Sequence, residues 1–386
     1  MSFRKAMLAA ATIFALPGLA QAEQGITANS VTFAQVAAFE GPAAALGQGM
    51  RLGITAAFEE ANAAGGVHGR TLTLDSMDDG YEPDRSATLV QSVVDANNHI
   101  GLIGAVGTPT SSATQPIATA ANMPFVGPFT GAGFLRDASH GNIFNVRATY
   151  FAETEAWIEY LVDQQGMSSI ALLYQDDGFG RVGLAGVTAA LEKRGMTLAA
   201  EGTYTRNTTA VKKALLSIRK AKPDAVVMVG AYKPVAEFIK LSRKMKFDPT
   251  FVNISFVGSD ALAQELGDAG EGVIISQVVP FPWDNSIPVV AQYAEALKAV
   301  APEAKPGFVS LEGYIVGRLA IEALEAAGKD VTRESFLAAL SGLTTVDLGG
   351  VKMVYGADDN QGMDDVFLTR ITADGGFEPI VPGGGS

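Results

Sequence analysis

The sequence predicts an α/β fold of parallel sheets covered by helices, divided into two lobes. Three observations carry this expectation. Short apolar strand signals alternate with helical patterns along most of the chain, and short loops join them, as in parallel strands with helical crossovers. The 386 residues, 48% of them hydrophobic, suit two cores better than one. The alternation also restarts past Arg147 and turns back near Val278, so the first lobe is completed only after the second is begun. A single twisted sheet is the structural alternative.

Residues 31–37 read as the first strand, rich in β-branched and aromatic side chains. Residues 48–63 form a helix ended by Gly65-Gly66, and 72–77 the next strand. Pro83 opens a helix to about residue 95, because proline fits the first turn, where no amide donor is needed. An apolar strand at 100–106 precedes a helical segment to Ala121, and a further strand follows at 125–127. Beyond Arg147, residues 150–165 read as a helix and 170–174 as an apolar strand, while Leu184, Val187 and Leu191 mark one helical face. The strand at 225–230 runs into a helix with Val235, Phe238 and Ile239 on one side, and a strand at 250–255 comes next. Gln277-Val278-Val279-Pro280-Phe281-Pro282 is a rigid apolar connector. Helices from Val289 and Ser310 complete the first lobe, and a last strand at 366–371 returns to the second. The expected division is 1–22 as a leader, 23–147 plus 278–355 as the first lobe, 148–277 plus 356–382 as the second, and 383–386 as a flexible tail. Three crossings make a stiff hinge and favour closure around a ligand.

Composition narrows the setting. Arg4 and Lys5 precede a short apolar run broken by Pro17, and Ala20-Gln21-Ala22 fits a small-residue cleavage site, so an export leader and a periplasmic location are expected. A retained anchor is the alternative. The net charge of −13 argues against nucleic acid and anionic membranes. Cysteine is absent, which suits a bacterial envelope compartment better than a disulfide-dense secreted scaffold. His68, His99 and His140 lie far apart with no metal-ligand spacing, and neither metal nor cofactor is expected.

The most informative stretch runs from Gly101 to Ala132. Two neighbouring strand ends break into Gly107-Thr108-Pro109-Thr110-Ser111-Ser112 and Pro128-Phe129-Thr130-Gly131-Ala132, releasing hydroxyls, glycines and free amides into one crevice. In open α/β sheets, ligands sit outside the carboxyl ends of strands, where helix N-termini favour anions. Neither loop holds a general base or a nucleophile beside a histidine. The pattern is that of a site that holds a small molecule without reacting with it.

Several segments carry a resemblance when taken in order. They are Gly41-Pro42 with Gly47, the run Ala61-Asn62-Ala63-Ala64-Gly65-Gly66-Val67-His68-Gly69, and Asp78-Asp79 with Pro83; then Ser111-Ser112-Ala113-Thr114-Gln115-Pro116, Asp176-Asp177-Gly178-Phe179-Gly180 and Val257-Gly258-Ser259. With these, the chain resembles the type I periplasmic solute receptors of ABC importers, in the leucine/isoleucine/valine-binding (branched-chain amino acid) group. The resemblance implies two Rossmann-like lobes joined by three hinge crossings, a ligand clamped between them, and delivery to a membrane permease by a monomeric receptor without a cofactor.

It also implies site residues. Ser111, beside Thr110 and Ser112, corresponds to the loop that receives a substrate carboxylate, and hydroxyl and amide donors there suit an anion. A helix cap is the plain alternative for the serine pair. Phe129 and Thr130 correspond to the neighbouring loop. In the second lobe, Phe179 and Tyr232 correspond to the aromatic walls, Phe179 replacing a tyrosine and leaving that wall drier. Core packing for Phe179 and a surface position for Tyr232 are the alternatives. Ser255, with Phe256 next to it, stands where branched-chain receptors carry an acid that neutralises the ligand ammonium. No carboxylate is near it in sequence, which leaves Glu40, Asp177 and Glu312 as candidates, or a ligand without an ammonium. Gln277 at the second crossing either faces the site or packs the hinge. Arg147 either bridges the lobes or forms a structural ion pair.

An α/β enzyme would need a nucleophile elbow, a Walker loop or a dinucleotide fingerprint after a strand, and none is present. Asp176-Asp177 fits a helix cap better than a cation site. The expected function is a periplasmic receptor for a small carboxylate-bearing ligand, an amino acid or a related acid or amide. A ligand-sensing domain of the same fold, serving signalling or gene regulation, is the alternative.

Overall fold

The computed structural model describes residues 24–380. The expected leader at 1–22 and tail at 383–386 lie outside the described residues. The first sheet takes strands β1 (Ser30–Ala37), β2 (Thr71–Asp78), β3 (Leu102–Ile103), β4 (Phe125–Val126) and β5 (Ile143–Phe144) in the order β2-β1-β3-β4-β5, all parallel. Helices α1 (Ala44–Ala63), α2 (Pro83–Ala96) and α3 (Thr108–Ala120) connect them. Side chains of β1 alternate: Phe33 joins the core under α1, while Ala34 and Val36 join the core under α2 and α3. Burial on both faces is why its apolar pattern is nearly continuous.

The chain then crosses to a second sheet. Helix α4 (Tyr150–Ile158) leads to β6 (Ile170–Gln175), α5 (Gly178–Glu192), β7 (Ala200–Tyr204), α6 (Lys212–Ala221), β8 (Ala225–Val229), α7 (Tyr232–Lys244), β9 (Thr250–Asn253), α8 (Ser259–Leu266) and β10 (Ile274–Gln277). It crosses back for α9 (Pro288–Val300), α10 (Phe308–Ala327), α11 (Arg333–Gly342) and a hairpin, β11 (Thr345–Asp347) with β12 (Lys352–Val354). Strands β13 (Phe367–Ile371) and β14 (Phe377–Pro379) finish the second sheet, which runs β14-β13-β10-β9-β8-β6-β7 with the last two strands of the chain antiparallel. Among the described residues there are thus two large sheets, not one, with the β11–β12 hairpin as a separate two-stranded ribbon.

Helices α9 and α10 pack on α1 of the first lobe, as the return of the chain requires. The α1–α10 crossing is close enough that a Cβ on Gly53 would lie 1.9 Å from the Ser310 carbonyl oxygen. In both sheets the strand order reverses between the first strand and its third-built neighbour, β1/β3 and β6/β8. Doubly wound folds place ligands at such switch points, beyond the carboxyl ends of the strands. Loops after β2, β3, β4 and β5 in one lobe therefore face loops after β6, β7, β8 and β9 in the other.

Candidate functional site between the lobes

Five rings from facing strand ends form one cluster. Tyr81 follows β2 and Phe129 follows β4; Tyr150 opens α4, Phe179 opens α5, and Phe256 follows β9. Phe256 lies 4.6 Å from Phe179, 5.5 Å from Phe129 and 5.9 Å from Tyr81, centroid to centroid, and Tyr150 lies 5.4 Å from Phe179. All five are buried. Phe256 is the side chain through which the second lobe meets both first-lobe rings.

The first-lobe loops bring hydroxyls to this cluster. Gly107 has φ +104°, a conformation that favours glycine, and a Cβ there would sit 2.2 Å from the Tyr81 ring, so only glycine lets the loop approach. Gly107 also takes the N-cap position of α3, so Ser111 stands inside the first turn and is not the cap. The Thr108 and Thr130 hydroxyls share a 2.7 Å hydrogen bond, and Ser111 follows Thr108 on the same helical face. Thr110 turns its hydroxyl back onto the Gly107 carbonyl at 3.0 Å. Ser112 is exposed, whereas Ser111 is fully buried and its Oγ has no hydrogen-bond partner. Tyr150 OH, beside Thr130, likewise completes no hydrogen bond of normal geometry. Burial raises the Tyr150 pKa, so the hydroxyl keeps its proton.

Two arginines stand behind the rings. Arg147, on the first crossing, lies 4.2 Å above the Phe129 ring and makes a bidentate pair with Glu312 of α10, Nε and Nη2 each donating at 2.8 Å. Burial opposes its charge, but the Glu312 carboxylate outweighs that and holds its pKa above the usual range. Its Nη1 is buried without a partner. Arg136 donates to the carbonyls of Thr130, Ala132 and Arg147, and burial together with the neighbouring Arg147 pushes its pKa down to about 9.

Sequence reasoning missed the acid on the second-lobe side. Glu153, one turn along α4 from Tyr150, is fully buried and accepts from Ser255 N at 2.8 Å, from Ser255 Oγ at 2.9 Å and from Ser276 Oγ. Burial raises its pKa. Ser255 is therefore tied to a carboxylate about a hundred residues away in sequence, which only topology reveals. Tyr81 was missed too, although its place just after the β2 strand end is the signal that singled out Phe129. Of the acids considered earlier, Asp177 caps α5 through Phe179 N, Glu312 pairs with Arg147, and Glu40 is exposed. Gln277 is engaged within the hinge, donating to Ser259 Oγ and Thr369 Oγ1 at 2.9 Å each.

The cleft is bridged at its rim. Arg206 donates to Glu82 at 2.9 Å and to Asp177 at 3.1 Å, and Asn207 donates to the Gly80 carbonyl and to Glu82. Tyr232 OH accepts from Ala45 N at 3.4 Å, and Gln175 donates to Tyr81 OH at 3.3 Å. These contacts join one lobe to the other and describe a closed arrangement. A concavity of about 670 Å³ opens on another face, lined by Asp260, Glu303, Lys305 and Phe377 among others.

Residues 30–376 match the family model described as periplasmic binding protein. The chain belongs to the periplasmic binding protein family. Family members bind solutes and are not enzymes, and branched-chain amino acid receptors stand among the relatives of this binding protein. A possible leucine/isoleucine/valine-binding protein from Rhodopirellula baltica is 37% identical, with 92% of this chain and 97% of that chain covered and a TM-score of 0.86. The Leu/Ile/Val-binding protein homolog 7 of Brucella abortus is 23% identical over 333 residues, 82% of each chain. A fatty acid ABC transporter substrate-binding protein from Thermomonospora curvata, 21% identical over 95% of both chains with a TM-score of 0.85, shares the fold. The type I fold with two Rossmann-like lobes and the small-ligand-binding class expected from the sequence are thus those of its family.

Proposed function

We propose that this binding protein is the periplasmic receptor of an ABC importer, that it takes a small carboxylate-bearing ligand between its lobes, and that it hands the ligand to a membrane permease as a monomer. The division into 23–147 plus 278–355 and 148–277 plus 356–382 belongs to the same reading, with the hinge passing between the two sets. Ser111, Thr130 and Phe129 hold the ligand from the first lobe, and Phe179, Phe256 and Tyr232 enclose it from the second. One observation carries the proposal: Ser111 Oγ, Tyr150 OH and Arg147 Nη1 are buried donors without partners, beside strand ends that face each other across the hinge. Native proteins seldom leave such groups unmatched, because each costs about 1–3 kcal/mol when desolvated alone. A carboxylate between the lobes satisfies them.

A thermal-shift screen of small acids, amino acids and amides tests this. A ligand at 100 times its Kd adds about 2.7 kcal/mol of stability. The Ser111→Ala variant is expected to fold as the parent does and to bind about tenfold more weakly, the order of one hydrogen bond to a charged group. Undiminished affinity in that variant counts against the site.

A further inference from the structure

Resting on the receptor reading above, we propose that the ligand is a carboxylic acid with an apolar body and no ammonium group, not an amino-acid zwitterion. The three unmatched groups named above are all donors, whereas the unmatched acceptors, Asp78 Oδ2 and the Oδ1 atoms of Asn145, Asn253 and Asn360, are not on ring-cluster residues. Arg147 Nη1 can only donate, and the Ser111 and Tyr150 hydroxyls have their protons to give. What completes such a set is an acceptor with several lone pairs, and a carboxylate has about four acceptor sites.

The acids around the rings are each matched already. Glu312 takes two donors from Arg147. Glu153 takes the Ser255 amide and two serine hydroxyls. Asp177 takes Phe179 N, Gln175 Nε2 and Arg206 Nη1. Asp79 takes Tyr81 N and Ser86 Oγ, both within 2.8 Å. Burial raises the pKa of Glu153 and of Asp79, to about 6 for Asp79. An ammonium brought here finds no carboxylate in need of it, and a buried ammonium without a counter-ion is strongly disfavoured.

The local field has the opposite preference. Arg136 and Arg147 lie together, and Glu312 pairs with Arg147 alone; the hydrogen bonds of Arg136 go to three carbonyls and the Gln361 amide oxygen. Only Arg147 of the two guanidiniums has an ion-paired carboxylate, and the Glu153 carboxyl within range of both is already held by Ser255 and Ser276. The walls are Tyr81, Phe129, Phe179 and Phe256, which suit an aliphatic or aromatic body. The geometry joins an anion-seeking end to a dry one.

Calorimetric titration of the purified full chain with matched triplets decides the matter: 4-methylpentanoate, leucine and 4-methylpentanamide, then 3-phenylpropanoate, phenylalanine and 3-phenylpropanamide. The expected result is an acid that binds at least about tenfold more tightly than the amino acid and the amide of the same body, the preference shrinking in Tyr150→Phe. Leucine or phenylalanine binding as tightly as its deaminated acid overturns this inference and keeps the receptor reading. An amide binding as tightly as the acid overturns it as well. Failure of all six to bind at millimolar concentration, with Ser111→Ala unchanged in a wider ligand screen, overturns both.

Discussion

Arg147 and Glu312 form a buried pair whose partners cannot be parted cheaply. Glu312→Gln leaves the guanidinium with a neutral partner in a dry setting, and the expected loss is about 3–5 kcal/mol of folding stability, read from urea unfolding midpoints. A loss under about 1 kcal/mol would mean that water reaches the pair. Asp79 gives a pH signature. Burial raises its pKa to about 6, against about 3.9 in an unfolded chain, so the folded state holds the proton more tightly. Its contribution is complete below about pH 4 and is lost as the pH rises through about 6. Stability should therefore fall between about pH 4 and 6.5, and Asp79→Asn should flatten that fall by about 2–3 kcal/mol. Equal slopes in parent and variant would discount the buried carboxyl. At this scale the sequence made Ser111, Phe129 and Phe179 visible, because each follows a strand end. Glu153 was invisible: its partners Ser255 and Ser276 come from other elements, and no local pattern reports a contact across the fold.

Elements were more legible than their edges. Strand β3 pairs over two residues although the apolar run continues to Val106, because Gly104 adopts φ +62° and interrupts the ladder after Ile103, as Gly127 at φ +56° does after β4; pairing returns only as the isolated Val106–Phe129 bridge. Hydrophobicity marks burial, not pairing, so it could not place those ends. The helix expected over 150–165 is α-helical only to Ile158 and continues as a π-helical segment, Glu159–Gln164, a change of hydrogen-bond register that side-chain periodicity does not announce. Packing of α1 on α10 is an element-scale prediction. Alanine favours a helix interior over glycine by about 1 kcal/mol, yet Gly53→Ala drives a methyl into the Ser310 carbonyl and the Tyr314 amide. A net loss of about 1–3 kcal/mol is expected from thermal unfolding, and a gain would show that the helices can separate.

At the scale of the whole molecule, opening must break the rim contacts that Arg206 and Asn207 make with Glu82 and Gly80. Such partly exposed pairs are individually weak, about 0.2–1 kcal/mol each, but they exist only when the lobes meet. Arg206→Ala should enlarge the radius of gyration seen by small-angle scattering without ligand and weaken ligand binding about two- to fivefold. Added salt should mimic the variant in the parent and have little further effect on the variant. Unchanged scattering in the variant would locate the closing energy in the rings instead.

The crossings themselves say where such a motion turns. Asn145 and Val146 are laced to Asn360, Gly362 and Met363 by main-chain hydrogen bonds, so the first and third crossings run parallel, side by side, as one short ribbon. Arg147 then rivets that ribbon to α10 through Glu312. For these two crossings the fulcrum consequently falls just beyond the rivet, at Ala148-Thr149 on the first and after Met363 on the third. The segment from α4 to β10, together with β13 and β14, swings as the lever, and Tyr150, the first residue past the fulcrum, travels least of the three second-lobe rings.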